Sequence, residues 1–154
     1  MTRNKKAINL SWLVEKWTIW ENPYIKNIWL NIKTLDLVPI TEDVNSNEDI
    51  EKSYIDIEDH MDEFVCMPGR EAVNKKLARE IFIENLDSQD RDRFFENYNE
   101  YASDGKFFDF IYELGLEDKL NEFRDKIAGD ILLNWAQEED IKVLKDMDTI
   151  NIYR

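Results

Sequence analysis

The sequence contains few of the residues that form covalent cross-links, tight turns or catalytic centres. Its 154 residues include one cysteine, one histidine, three prolines and four glycines. A single cysteine, Cys66, excludes an intramolecular disulfide bond. Any histidine-dependent catalysis would have to use the lone His60. The glycines are scattered, which excludes a glycine-rich phosphate loop, and we expect the protein to work without a cofactor.

Long apolar runs are missing as well. No stretch approaches the roughly 20 apolar residues that a membrane-spanning helix requires. The basic residues at positions 3–6 precede an apolar segment that faintly imitates a signal peptide, but Asn9 and Ser11 interrupt it and no cleavage site follows. We therefore expect a cytoplasmic protein with no membrane partner.

The residues needed for a folded core are present in quantity. Hydrophobic residues make up 43% of the chain and include five Trp, six Tyr and eight Phe. Disorder requires low hydrophobicity together with high charge, and only the charge condition is met here. The length is that of one domain, so we predict a single domain spanning 1–154.

Acidic side chains outnumber basic ones, 34 to 20, and the net charge is −14. The excess is concentrated in residues 41–71, which carry eleven acidic and two basic side chains, whereas residues 1–40 have a net charge of +3. Such a field repels nucleic acid, whose binding needs clustered Lys and Arg. It attracts a basic protein, so the expected partner is a basic protein and direct binding to nucleic acid is not expected.

The pattern of residues 1–66 predicts a small α/β part with an acidic loop. Ser11 is a suitable cap for a short leading helix, and residues 24–33 alternate like a strand. A turn at 34–36 leads into a second strand at 37–40, which predicts an antiparallel hairpin. Residues 41–51 suggest an exposed loop, and Tyr54, Ile55 and Ile57 suggest a third strand.

Residues 67–140 show helical periodicity and predict a bundle of about four amphipathic helices, so the fold class is α+β. Ser88 is a candidate helix cap, and Gly115 is a candidate left-handed helix end just before a long helix that begins at 117–118. Gly129 lies inside that long helix, which suggests close packing against a neighbour. In the tail, 141–154, the alternation of Ile150 and Ile152 is consistent with an added edge strand.

Several segments of the helical half carry aromatic and charged residues in a recognisable order. They are Leu86-Asp87, Arg91, Arg93-Phe94, Gly105-Lys106-Phe107-Phe108-Asp109-Phe110, Phe123-Arg124-Asp125 and Leu133-Asn134-Trp135-Ala136. The hairpin adds a strand and turn of similar pattern, Trp29 to Thr34 and Val38 to Ile40. In these features residues 9–141 resemble the bacterial uncharacterised protein family one-five-eight.

This resemblance implies an α+β fold and supplies no activity. The chain has Lys106 where Arg is usual in that family, Asp109 at a position that is often basic, and Ala136 in place of the Leu after Trp. These departures weaken any basic recognition surface that the family carries around that helix.

His60 lies among several carboxylates, and imidazole beside carboxylates is a possible metal or general-base site. The candidate ligands are His60, Asp59 and Asp62, which would make a small metal-dependent hydrolase one alternative function. The segment lacks the ligand spacing of an EF-hand and the paired histidines of a zincin. Cys66 stands between Val65 and Met67 and is better explained as a small core residue.

Four tryptophans, Trp12, Trp17, Trp20 and Trp29, fall within eighteen residues. Packing in the core is the ordinary role of such residues, but an exposed member would mark a partner surface or a homodimer surface. Trp20 and Trp29 are the candidates for that role.

The leading hypothesis is a non-enzymatic interaction or regulatory module that binds a basic partner. A narrower alternative is an antagonist of the immunity or anti-defence type that mimics the charge of nucleic acid. The candidate acidic surface comprises Glu42, Asp43, Glu48, Asp49, Asp56, Glu58, Asp59, Asp62 and Glu63.

Overall fold

The computed structural model describes residues 2–18, 25–41, 47–69, 75–97 and 104–152. Within these ranges the strands are β1 (Ile8–Asn9), β2 (Ile25–Asn31), β3 (Leu37–Thr41), β4 (Phe64–Cys66) and β5 (Val143–Leu144). The helices are α1 (Leu10–Thr18), α2 (Asn47–Asp59), α3 (Lys75–Glu84), α4 (Ser88–Asn97), α5 (Asp104–Glu113) and α6 (Glu117–Glu138). The predicted α+β class is confirmed, with a leading helix, a small antiparallel sheet and four helices after it.

The antiparallel sheet has the strand order β3-β2-β4, with β2 in the centre. Residues Leu30 and Leu37 pair at the closed end of the predicted hairpin. Its turn is held by the Asn31 side chain, whose Oδ1 accepts hydrogen bonds from the N–H groups of Lys33 and Thr34, both at 2.9 Å. The hairpin that the alternation of residues 24–33 predicts is therefore confirmed.

The predicted third strand at Tyr54, Ile55 and Ile57 is wrong, because these residues belong to α2. The predicted loop over 41–51 is likewise helical from Asn47 onward. Tyr54 and Ile57 are three residues apart and lie on the same side of a helix, packing against a small apolar cluster with Ile40 and Phe64. The third strand of the sheet is β4, which pairs antiparallel with β2.

Helices α3 to α6 enclose an aromatic core. Phe94 and Phe107 are almost fully buried in it, and the Phe94 ring meets that of Phe110 edge-on at 5.0 Å. Gly115 has φ +63°, so the predicted left-handed helix end is confirmed. The cap of α4 is Asp87 and not the predicted Ser88, since Asp87 Oδ1 accepts the N–H of Asp90 at 2.9 Å.

The main core joins the N-terminal part of the chain to α6. Helix α1 packs along α6, and Leu13, Leu30 and Leu132 are fully buried between them and the sheet. Two indole N–H groups fasten the end of β4 and the residues after it to this core. Trp17 donates to the carbonyl of Pro68 and Trp135 donates to that of Cys66, both at 2.9 Å.

Residues 141–152 form a tail that is tied back onto α6 by a buried carboxylate. Asp130 Oδ2 accepts the backbone N–H groups of Ile150, Asn151 and Ile152 at 2.9, 2.7 and 3.3 Å. The edge strand predicted at Ile150 and Ile152 is therefore wrong, because their N–H groups bind a side chain. A Cβ on Gly129 would lie 2.9 Å from Thr149 Cγ2, so the predicted close packing at this glycine is confirmed.

The two ends of the described chain are also joined directly. Strand β5 pairs in parallel with β1, and Asn4 binds both the N–H and the carbonyl of Lys142, at 2.7 and 2.9 Å. Helix α1 is capped from the tail, since the Ser11 N–H and Oγ–H both donate to the Asp146 carboxylate. The predicted capping role of Ser11 is wrong, because its hydroxyl donates to Asp146 and the Asp146 carboxylate is the capping group.

None of the helices in the described part of the chain combines the length and apolar character needed to cross a membrane.

Replacing Asp130 with Ala should detach the tail from α6. Three part-buried backbone N–H groups would lose a charged acceptor, and a hydrogen bond to a charged group contributes about 1.5–3 kcal/mol. We expect the free energy of unfolding in urea to fall by at least about 3 kcal/mol, with faster amide hydrogen exchange at 150–152. The control is Asp125→Ala in the same helix, where partial burial raises the pKa of the carboxyl. An equal loss in both variants would contradict the proposed anchoring.

The cap of α1 should make stability depend on pH in the acid range. The hydrogen bond from the Ser11 hydroxyl, followed by that from its N–H, holds the pKa of Asp146 below its ordinary value. A lowered folded pKa gives stability that is complete above the unfolded pKa of about 3.9 and is lost as the pH falls through the folded pKa. We expect the stability difference between wild type and Asp146→Asn to be constant from pH 7 to 5 and to shrink below pH 4. A difference that grows on acidification would contradict this assignment.

Candidate protein-interaction surface

Helix α2 is held on the sheet by one apolar side. Ile57 is 2% exposed and lies in the small cluster with Ile40 and Phe64. Trp29, Val38 and Tyr54 are half-buried around this cluster. The helix is thus fixed in orientation by contacts with β2, β3 and β4, and its opposite side faces solvent.

The solvent side of α2 and the following turn combines carboxylates with two apolar side chains. Ile55 is 57% exposed and Met61 is 52% exposed. We define the α2 surface as the exposed residues Glu51, Ile55, Asp56, Glu58, Asp59, Met61 and Asp62. Residues 47–63 contain eight acidic residues and one lysine. Scattered single apolar residues are normal on a protein surface, whereas apolar residues grouped together mark contact sites.

The carboxylates of the α2 surface have no cationic partners within the described residues. The ion pairs found there join Arg3 to Glu139, Lys33 to Glu63 and Lys126 to Glu122. Glu63 therefore differs from the other acidic candidates. It is partly buried, and it binds Lys33 Nζ and Asn31 Nδ2, both at 3.4 Å, which ties the turn to the hairpin.

Only some of the predicted acidic residues lie on the α2 surface within the described part of the chain. Asp56, Glu58, Asp59 and Asp62 are exposed on the α2 surface. Glu48 and Asp49 belong to α2, but their side chains lie outside the described part. Glu42, Asp43 and Trp20 lie outside the described residues altogether.

The metal and nucleophile candidates do not form a site in the described part of the chain. Among these residues no three His, Cys, Asp or Glu side chains are grouped to hold a metal ion. His60, Asp59 and Asp62 are all exposed, and the His60 carbonyl accepts the N–H groups of Glu63 and Phe64 in the turn after α2. Cys66 lies half-buried in β4, and its thiol donates to the Met67 carbonyl at 3.5 Å.

The described tryptophans of the N-terminal cluster contribute to packing. Trp17 is buried in the main core and Trp12 packs partly buried against it. Trp29 is half-buried beside α2, and its Nε1 is buried with no hydrogen-bond partner in the structure described. Trp29 therefore supports the α2 surface from beneath, while its role as a direct partner contact stays a prediction.

Glu51, Ile55 and Met61 are the residues of this surface that the sequence patterns did not identify as candidates. The short alternation Tyr54, Ile55 and Ile57 resembles a strand and conceals the helical spacing of Tyr54 and Ile57. The helical spacing of Tyr54 and Ile57 places Ile55 on the polar side of α2. This spacing could have identified Ile55 as an exposed apolar residue.

Comparisons with protein families, with curated proteins and with solved structures found no match for the chain. The resemblance to family one-five-eight therefore stays a prediction.

The two indoles should respond differently to replacement by Phe. Trp17→Phe removes a hydrogen bond and leaves the Pro68 carbonyl without its donor, and we expect a loss of about 2 kcal/mol in unfolding free energy. Trp29→Phe removes a buried N–H that has no partner, which offsets the lost apolar contact, so we expect a change within about 1 kcal/mol. Urea unfolding followed by far-ultraviolet circular dichroism compares the two. A larger loss for Trp29→Phe would refute the assignment of its N–H as unsatisfied.

Proposed function

We propose that this protein is a non-enzymatic interaction module that binds a basic protein partner through the α2 surface. The observation that carries the proposal is the exposure of Ile55 and Met61 among carboxylates that have no cationic partner in the described structure. Neither feature alone indicates a partner, because acidic residues also confer solubility and single exposed apolar residues are common.

The carboxylates supply attraction at a distance. With a net charge of −14, the chain repels other acidic molecules and speeds the encounter with basic ones. Exposed ion pairs are individually weak, about 0.2–1 kcal/mol each, and salt screens them. The charge therefore selects basic partners and raises the association rate more than it increases the affinity.

The apolar side chains supply affinity at contact. Ile55 and Met61 each have about half of their surface in water, and covering that surface is worth about 1 kcal/mol for each. Methionine is flexible and adapts to the shape of a partner. The attachment of α2 to the sheet means that little order must be gained on binding, which reduces the entropic cost.

Neutralising the α2 surface should weaken capture of the partner. The test variant carries Asp56→Asn, Asp59→Asn and Asp62→Asn, and the bait is used to capture proteins from a cell lysate at about 50 and 300 mM salt. Loss of three exposed pairs is worth about 0.6–3 kcal/mol in total, so we expect at least a roughly threefold weaker capture. The wild-type bait should capture less of its partner at the higher salt concentration.

A charge-matched control separates the surface from the net charge. It carries Asp92→Asn, Asp109→Asn and Asp148→Asn, three exposed carboxylates outside the α2 surface. A second pair compares Ile55→Ala with Leu144→Ala, which are 57% and 55% exposed. If the two members of either pair weaken capture of the partner equally, the assignment of the binding site to the α2 surface is overturned. If DNA competes for the captured protein, the narrower hypothesis of a nucleic-acid mimic gains support.

A further inference from the structure

A groove opens where the two large apolar clusters meet. It lies between the end of α3, the N-terminal half of α6 and the tail, and it has a volume of about 250 Å³. Phe82 belongs to the aromatic core, Ile150 packs against the main core, and Phe123 packs against both. The Phe82 and Phe123 rings meet edge-on at 5.3 Å. Because Phe82 is only 3% exposed, the accessible apolar floor of the groove is formed by the half-buried Phe123 and Ile150.

The rim of this groove is basic, in contrast to the chain as a whole. Lys119, Glu122 and Lys126 line it from one side of α6, and Asn85 lines it from the turn after α3. Glu122 pairs with Lys126 at 3.6 Å. Lys119 has no carboxylate within ion-pair distance among the residues that the structure describes. The rim therefore carries one more cation than anion in a protein with 34 acidic residues.

We propose that the groove binds a small organic anion with an apolar body, such as an aryl-substituted carboxylate. The anionic group would contact Lys119 and Lys126, and the body would lie on the Phe123 ring and Ile150. An inorganic anion would leave the apolar floor uncovered, and a neutral apolar compound would leave the lysines unused. The volume lies below the 300–1,000 Å³ common for drug-sized ligands, which limits the body to about one ring with a short chain.

This site is separate from the α2 surface, since the groove is lined by α3, α6, the turn between α3 and α4, and the tail. It is also connected to the anchor of the tail. The N–H of Ile150 binds Asp130, so a ligand that packs on Ile150 would stabilise this hydrogen bond. Binding should therefore slow amide hydrogen exchange at 150–152, which simple ionic attraction to an exposed lysine would not do.

The test uses 3-phenylpropionate as the probe, with 3-phenylpropan-1-ol and 3-phenylpropylamine as neutral and cationic analogues of the same body. Titrations are followed by amide chemical shifts in the full chain. We expect saturable shifts at Phe82, Phe123 and Ile150 with the carboxylate. The affinity should be at least about fivefold lower for the alcohol than for the carboxylate, and lower still for the amine. A fivefold difference corresponds to one charge-assisted contact worth about 1 kcal/mol.

Two variants and one control complete the experiment. Lys119→Gln should lower the affinity for 3-phenylpropionate about fivefold. Phe123→Leu should lower the affinity for every analogue that shows measurable binding to the wild-type chain. Lys52→Gln, an exposed lysine of α2, should leave the affinity unchanged. Equal binding of acid and alcohol, an unaltered affinity in Lys119→Gln, or no saturable shift at millimolar probe would each overturn the proposal. Because none of these variants changes a residue of the α2 surface, the outcomes are independent of partner capture by α2.

Discussion

The acceptance of three backbone N–H groups by the Asp130 carboxylate is the interaction on which much of the structure depends. A buried carboxylate is costly unless its charge is met by donors, and here the donors come from 150–152 in the tail. The same tail supplies Asp146 to the first turn of α1, and Ile150 to the wall of the groove. The Asp130 side chain of α6 thereby holds the tail, which contributes Asp146 to the cap of α1 and Ile150 to the groove.

The molecule separates its charge from its aromatic packing. The aromatic core lies among α3 to α6, while the α2 surface rests on a smaller cluster of Ile40, Ile57 and Phe64. A small apolar cluster is sufficient to hold α2 in place, because the strands that it packs against are already paired in a sheet. The exposed carboxylates then need no internal cations, and their mutual repulsion is reduced by water and salt rather than by protein groups.

Local patterns predicted much of this fold from the sequence. The alternation around Trp29 predicted the hairpin, and Gly115 predicted the start of the long helix after it. Prediction failed where a short pattern is ambiguous, as at Tyr54, or where the deciding group is distant in sequence. Ser11 and Asp146 are 135 residues apart, so no local pattern could identify the cap of α1. The groove could not be predicted for the same reason, since Phe82, Lys119 and Ile150 are brought together only by the tertiary fold.

The cap of α1 has a consequence for the order in which the protein can fold during its synthesis. Asp146 is added to the growing chain 135 residues after Ser11, an interval of roughly 7–27 s at 5–20 residues per second. Throughout that time α1 lacks the carboxylate at its first turn, and β1 lacks its partner strand. The N-terminal segment, with its tryptophans and leucines, must wait for α6 and the tail, and it is in this interval that the nascent chain is most exposed to chaperones and proteases.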